Sequence, residues 1–327
     1  MIRCRSLLAL AGAGLFAASG ALAQPADYPS RNITMIVPFA AGGAIDISAR
    51  FLVEELGRDL GRTIVVENKG GAGGLIGNTA LAQAAPDGYT MGIVAVTSYS
   101  MAQYMQPAMP FDPETAFMPV SETWEAPLVL VVPTAHVPAR SVDELIAWVG
   151  QQPQGVFYAS GGIGLTGHLA GNLFVQKSGL NATHSPLKTG PLMQQSLLVG
   201  ETSFVFDNAP TAMPRIADGQ FTPLAVTAPE RWPALPDVPT MKELGWEGFE
   251  LESWSSIAVP AGTPREVVDK INAALARIAA NPETARRFET LTGSRLTHSS
   301  PEETLARAAA ERPVWKAVIE AAGLSVH

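Results

Sequence analysis

Two glycine loops hold the groups in this chain best suited to chemistry. The first is Pro38-Phe39-Ala40-Ala41-Gly42-Gly43-Ala44-Ile45-Asp46, and the second is Ser160-Gly161-Gly162-Ile163-Gly164-Leu165-Thr166-Gly167-His168. Each follows a short apolar run and precedes a helical pattern, so each reads as a strand-to-helix turn. Glycines there let backbone N–H groups turn toward a ligand, and the start of a helix adds positive potential. The chemistry this suits is capture of an anion by oriented amides and hydroxyls, without many basic side chains. One such loop is explained equally well as a tight turn. Two, in separate lobes, favour binding.

The remaining polar candidates are weighed in the same way. Asp46 stands in the first turn of its helix, where a carboxylate either stabilises the helix or positions the loop. His168 opens a helix and either donates to a ligand oxygen or caps and packs. Asp207 and Asn208 end a buried strand, where polar side chains face a cleft. Lys188 reads by default as half of a surface ion pair. Trp254 reads as core. His136, His184 and His298 show no metal-ligand spacing, so no metal is expected. Gly162, Gly164 and Gly167 match the dinucleotide fingerprint G-x-G-x-x-G, but no aspartate or glutamate occurs from His168 to Gly200 to hold a ribose. No nicotinamide, flavin or other cofactor is expected. Serines and histidines are scattered, with no recognisable catalytic set.

The elements that position these loops follow from periodicity. Residues 33–39, 64–66 and 91–96 are apolar strands, and residues 45–56 and 76–83 are helical, which gives βαβ units in a parallel sheet. The pattern restarts with strands at 128–132, 156–159, 183–185, 204–207 and 223–227 and helices at 141–150, 167–177 and 191–199. Helices from Thr263 and from Ser300 close the chain, each opened by a capping-box pattern ending in Glu266 or Glu303. Pro313 is expected to kink the last helix near Arg312. The expected architecture is α/β and two-lobed. Residues 24–127 with 253–327 form one lobe, 128–252 form the other, and the strands at 128–132 and 253–259 are the candidate crossovers.

The chain begins with Arg3 and Arg5, an apolar stretch over 6–18, and the small residues Ala21 and Ala23. This reads as an export signal over residues 1–23, cleaved between Ala23 and Gln24, and too short to span a bilayer. The only cysteine, Cys4, lies within it, so the exported part can hold neither a disulfide nor a thiolate. The 22 basic and 30 acidic residues give a net charge of −8, and loss of Arg3 and Arg5 leaves 20 against 30, or −10. That charge argues against nucleic acid and anionic membranes as partners.

Long segments of the chain resemble the Bug family. They include VPFAAGGAID, VVENKGGAGGLIG, APDGYT, FDPETAFMPVS, SGGIGLTGHLAGNLF, RWPALPDVPT and VPAGTP, in the family's order. These proteins are extracytoplasmic solute receptors of tripartite tricarboxylate transporters. The resemblance implies a type II periplasmic-binding-protein, or Venus-flytrap, fold, in the periplasm. It implies a small carboxylated ligand held by the 39–46 and 160–168 loops through Phe39, Ala41, Gly42, Gly43, Ala44, Asp46, Ser160, Gly161, Gly164, Thr166 and His168. Thr97, Ser98 and Asp207 would complete the pocket. It also implies inner-membrane transporter subunits, or a sensor, as partners of a receptor that is not itself membrane-embedded, with no catalysis and no cofactor; a monomer is expected. The chain departs from the family at Ala44, Ile45, Ile163, Leu165 and Leu187, where the family often carries polar residues or a tyrosine. An apolar or aromatic monocarboxylate is therefore expected over citrate. The competing readings are a secreted α/β hydrolase or lyase acting on a carboxylated substrate, and a pure interaction module.

Overall fold

The computed structural model describes residues 28–106 and 108–324. The expected export signal and its cleavage point lie outside these residues. No helix among the described residues is long and apolar enough to cross a membrane.

The first sheet grows from β1 (Ile33–Val37), β2 (Ile64–Asn68) and β3 (Thr90–Ala95), which run parallel with β1 in the middle. Ile33, Met35, Ile36 and Val37 are all buried, because helices cover both faces of this part of the sheet. α1 (Ala44–Leu60) lays Ala49, Leu52 and Leu56 on the sheet and ends at Gly61 in the left-handed conformation that glycine tolerates best. α2 (Leu75–Ala82) leads back to β3, and a π-turn over Thr97–Met101 follows β3 directly.

β4 (Phe117–Pro133) belongs to both sheets of the molecule. Its first half pairs antiparallel with β9 (Glu252–Pro260), from Phe117 opposite Pro260 to Pro127 opposite Glu252. Its second half, from Leu128 on, pairs antiparallel with β7 (Val205–Asn208) and β8 (Phe221–Val226). The sequence pattern marks only the second half as a strand. β9, the other expected crossover, pairs with β3 and β4 inside the first sheet. β5 (Val156–Ser160) and β6 (Ala182–Pro186) run parallel, and a parallel bridge from Tyr158 to Phe204 joins them to β7. The result is a two-lobed α/β fold, with helices α3 (Val142–Gly150), α4 (Thr166–Ser178), α5 (Gly190–Leu198) and α6 (Ala209–Ala217) around the second sheet.

The C-terminal part packs back on the first sheet through α7 (Arg265–Ala280), α8 (Pro282–Thr292), the short β10 (Arg295–Leu296) and α9 (Pro301–Ala321). The capping box at Ser300 forms in full with Glu303. The one expected at Thr263 does not. Pro264 is the N-cap of α7, and the Thr263 hydroxyl donates to the Pro260 carbonyl instead. α9 spans Pro313 without ending there, although that residue has no N–H to give to the helix.

Arg307 of α9 lies where the two halves of β4 meet. Its guanidinium pairs with Glu122 and Glu125 of β4 at 2.8 Å each, Glu311 at 2.9 Å and Glu252 of β9 at 3.4 Å. Trp254 is fully buried beside it, as expected of a core residue, stacked on Tyr99 and donating from Nε1 to Glu311.

Candidate ligand-binding site

Both glycine loops are built to aim helix starts between the lobes. In the first, Gly42 adopts φ +75° and its N–H donates to the Asp46 carboxylate at 2.9 Å. Asp46 also accepts from Arg50 Nε at 2.9 Å and Asn68 Nδ2 at 2.8 Å, and Asn68 bonds the Phe39 carbonyl as well. These donors hold the Asp46 carboxyl below the usual carboxylate range against the opposing effect of burial. The N-cap of α1 is Gly43, which has no side chain to satisfy the first amides of the helix.

The second loop is held from behind by histidines. His168 Nδ1 accepts from the Gly164 N–H at 3.1 Å, and its ring stacks on His184 at 3.8 Å between centroids. Ser160 Oγ lies 2.7 Å from His184 Nε2 and also bonds both the amide and the carbonyl of Gly162. Burial pulls both imidazoles down to about 4, helped at His184 by its neighbour His168, so both are neutral at pH 7. The N-cap of α4 is Leu165, again without a capping side chain. Gly167 is required by packing: a Cβ there would press into the Phe206 carbonyl oxygen of β7.

These helix starts converge on a cavity of about 120 Å³ between the lobes. Its wall takes Gly43 and Ala44 from α1, Thr166 and Gly167 from α4, Gly190 from α5, and Asp207 and Asn208 at the start of α6. Thr97 adds the first residue of the π-turn. Its hydroxyl is buried with no hydrogen-bond partner among the described residues. Phe39, Thr97, Gly161, Leu165, Lys188 and Thr189 line this cavity and also a second one of about 930 Å³, whose wall adds the Gly70–Gly74 turn, Met105, Ile163, Leu187 and Leu324. The lobes approach closely around both. A Cβ on Gly42 would lie 3.8 Å from Pro191, and one on Gly164 would lie 2.8 Å from Met105 Sδ.

Comparison with known proteins places the chain in a family. The tripartite tricarboxylate transporter family receptor profile matches residues 48–324. The chain belongs to that family. The structure of the periplasmic binding protein BugD superposes with a TM-score of 0.84 at 34% identity, over 91% of this chain and 99% of that one. Rpa4515 of R. palustris, solved with adipate, gives 0.87 at 32% identity over 91% and 99%. MatC of Rhodopseudomonas palustris, solved with malate, gives 0.81 at 29% identity over 89% and 100%. The protein is thus a solute receptor and not an enzyme. The hydrolase or lyase reading finds no support in this family.

Of the residues expected at the receptor's site, Phe39, Gly43, Ala44, Thr97, Gly161, Gly164, Thr166 and Asp207 line one or both cavities. Ala41 and Gly42 stand at the exposed rim of the first loop. Asp46, Ser98, Ser160 and His168 are buried behind the walls and act on residues that line them. Ser98 is the exception among these four, since it accepts from Asn78 Nδ2 at 2.7 Å and Asn78 lines neither cavity. Lys188 departs from its expected surface ion pair. It has no ion-pair partner among the described residues and lines both cavities, because the turn after β6 faces the opposite lobe. Met105, Leu324 and the Gly70–Gly74 turn carry no sequence signal for a site. Only the folded chain brings them there.

Proposed function

We propose that the receptor captures a small carboxylate in the 120 Å³ cavity and delivers it to inner-membrane transporter subunits. The observation that carries this reading is the meeting of unsatisfied helix starts from both lobes around the unpartnered Thr97 hydroxyl. A carboxylate is the small group that accepts from several such donors at once, and the helix dipoles favour its charge. Each charge-assisted bond contributes about 1.5–3 kcal/mol net, and micromolar binding needs about −8 kcal/mol in all. A few bonds with some apolar burial reach that value. The adipate and malate bound by relatives support the class.

The working unit is an exported, monomeric periplasmic protein, freed of residues 1–23. Its lobes are residues 24–127 with 253–327 and residues 128–252, closing on the ligand. The carboxylate meets amides of the 39–46 and 160–168 loops, with Thr97 and Asp207 completing the wall. The ligand's body extends into the 930 Å³ cavity, whose Met105, Ile163, Leu165, Leu187 and Leu324 suit an apolar or aromatic monocarboxylate better than citrate.

A thermal-shift screen of protein stripped by unfolding and refolding tests this. Ligand at a hundredfold excess over its Kd adds about 2.7 kcal/mol of stability. Aromatic or apolar carboxylates should raise the melting temperature by a few degrees while their amides do not. Shifts with sugars or nucleotides alone would overturn the reading. Tight binding of citrate with none of the aromatic acids would overturn the choice of ligand body.

A further inference from the structure

The small cavity is walled largely by apolar side chains such as Phe39, Val96, Leu165 and Phe206, and its side chains hold one anionic group. Asp207 is the only carboxylate among the lining residues of either cavity. It is almost fully buried, at 1% exposure, and no cation pairs with it among the described residues. Its Oδ1 accepts from the Asn208 N–H at 2.8 Å and from Thr211 Oγ1 at 2.7 Å. Its Oδ2 accepts only from Gln194 Nε2, at 3.1 Å. The orientation of that amide is fixed, because Arg215 Nε donates to Gln194 Oε1 at 3.2 Å and Nε2 donates to the Thr211 carbonyl. The Arg215 guanidinium is thereby bonded to Gln194 and Gln220. A carboxylate oxygen has room for about two donors, so Oδ2 keeps one acceptor site open.

Resting on the reading of this cavity as a carboxylate site, we propose that Asp207 selects ligands carrying a hydroxyl or ammonium donor next to the bound carboxylate group. A ligand with only C–H groups there leaves a buried acceptor unpaired, and a buried polar group without a partner is costly. A donor on the carbon beside the ligand carboxylate fills the open site while the carboxylate itself meets the helix starts. Sites built around a substrate donor discriminate strongly against analogues that lack it, because the site's own polar group is then stranded. The other polar groups of the wall are amides, hydroxyls and the Lys188 ammonium, none of which rewards a ligand donor in the way an unpaired carboxylate oxygen does.

Two matched series test the proposal by isothermal titration of the stripped protein. One is succinate, malate and aspartate, and the other is 3-phenylpropionate, 3-phenyllactate and phenylalanine. Within a series only the group beside the carboxylate changes, from hydrogen to hydroxyl to ammonium. The hydroxyl or ammonium member should bind at least tenfold tighter than the unsubstituted acid. In Asp207→Asn the amide oxygen stays with Asn208 and Thr211 while the nitrogen replaces Oδ2, losing the bond from Gln194 and offering a donor in place of the open acceptor site, so the ratio should fall to about threefold or less. The ammonium member should lose most. Equal binding of all three wild-type partners would overturn the proposal on its own, whether or not the variant folds. An unchanged ratio in a folded Asp207→Asn protein, with every member weakened alike, would also overturn it and leave Asp207 as a support for α6. If no carboxylate of either series or of the wider screen binds, the receptor reading falls together with this one. If unsubstituted acids bind and substituted ones gain nothing, only this one falls.

Discussion

Ser160 Oγ and His184 Nε2 lie 2.7 Å apart because β5 and β6 pair in register, Tyr158 opposite His184 and Ala159 opposite Ser185. A serine and a histidine at that distance invite comparison with a nucleophile and its base. Here the serine is 1% exposed and its oxygen is shared with the Gly162 amide and carbonyl. The histidine stacks on His168 and Tyr158, with no carboxylate bonded to it among the described residues. The pair fixes the shape of the second loop, and the family assigns binding to this architecture.

That arrangement sets a dependence on pH. His168 and His184 have folded values near 4, below the unfolded 6.5. Between those values the unfolded chain binds more protons, so stability is complete above about 6.5 and is lost as pH falls toward 4. Asp207 acts in the opposite sense. Burial raises its carboxyl to about 6, so the folded state holds the extra proton and stability falls as pH rises from about 4 to 6. Two groups oppose one, and the net expectation is a loss of stability on acidification from pH 6.5 to 4. Urea midpoints across that range should fall for the wild type and fall less for His184→Phe, which keeps a ring against Tyr158. A His184→Phe profile as steep as wild type would show that other groups set the slope.

Gly167 supports the second loop by backbone proximity. The alanine Cβ in Gly167→Ala would press into the Phe206 carbonyl oxygen, and neither partner is the flexible end of a side chain. Overpacking of this kind costs about 1–3 kcal/mol. The variant should melt several degrees lower, and carboxylate affinity should drop as well, since the displaced element is the start of α4. Gly179→Ala, at the far end of the same helix, meets no atom within 4 Å and should leave affinity unchanged, although its φ of +67° will lower stability. Thermal melting and titration of the two variants separate the effects.

What the sequence reveals here follows the range of the interactions. The two glycine loops and the strands behind them are legible because apolar runs, glycines and helix starts are local signals. The first half of β4 is not, because Pro119, Glu122, Glu125 and Pro127 break the apolar pattern. Two β-bulges, between Pro119 and Ser121 and between Glu122 and Trp124, absorb the irregularity. The acidic residues are tolerated in a buried strand because Arg307 reaches them from 185 positions away at Glu122 and 182 at Glu125. No local reading anticipates that partner. Lys188, Met105 and Leu324 escape for the same reason, since each becomes a wall residue only when the lobes face each other. The Ser160–His184 contact is also missed, because it depends on strand register.

Arg307 offers a direct test of that long-range compensation. Removing it in Arg307→Met keeps much of the packing against Trp254 but leaves Glu122, Glu125, Glu252 and Glu311 without the cation between them. Breaking a buried pair from one side costs about 3–5 kcal/mol, and Arg307 retains some exposure, so the lower end is expected. Burial already holds Glu122 and Glu252 above the usual carboxylate range. Without Arg307 they rise further, so the deficit should be largest at neutral pH and shrink as acid protonates them. Denaturant unfolding of wild type and variant at pH 7 and pH 5 measures this. A deficit that does not change with pH would mean lost packing, and not stranded charge, is the cause.

Thr97 and Ser98 are adjacent, yet they should respond in opposite ways to loss of the hydroxyl. Thr97 lines both cavities, and its Oγ1 is buried with no partner in the described structure, so the folded protein gains nothing from it. Thr97→Val keeps the shape and removes an unsatisfied oxygen, which should leave stability equal or slightly raised. If that hydroxyl serves the ligand carboxylate, affinity falls about tenfold, the equivalent of one bond worth about 1.4 kcal/mol. Ser98 Oγ instead accepts from Asn78 Nδ2 and lines neither cavity. Ser98→Ala strands a buried donor and should cost about 1–3 kcal/mol of stability, with a smaller effect on affinity. Melting and titration of the two variants give a crossed pattern if Thr97 is a binding group. Unchanged affinity in Thr97→Val would remove it from the site and leave the helix-start amides as the carboxylate's donors.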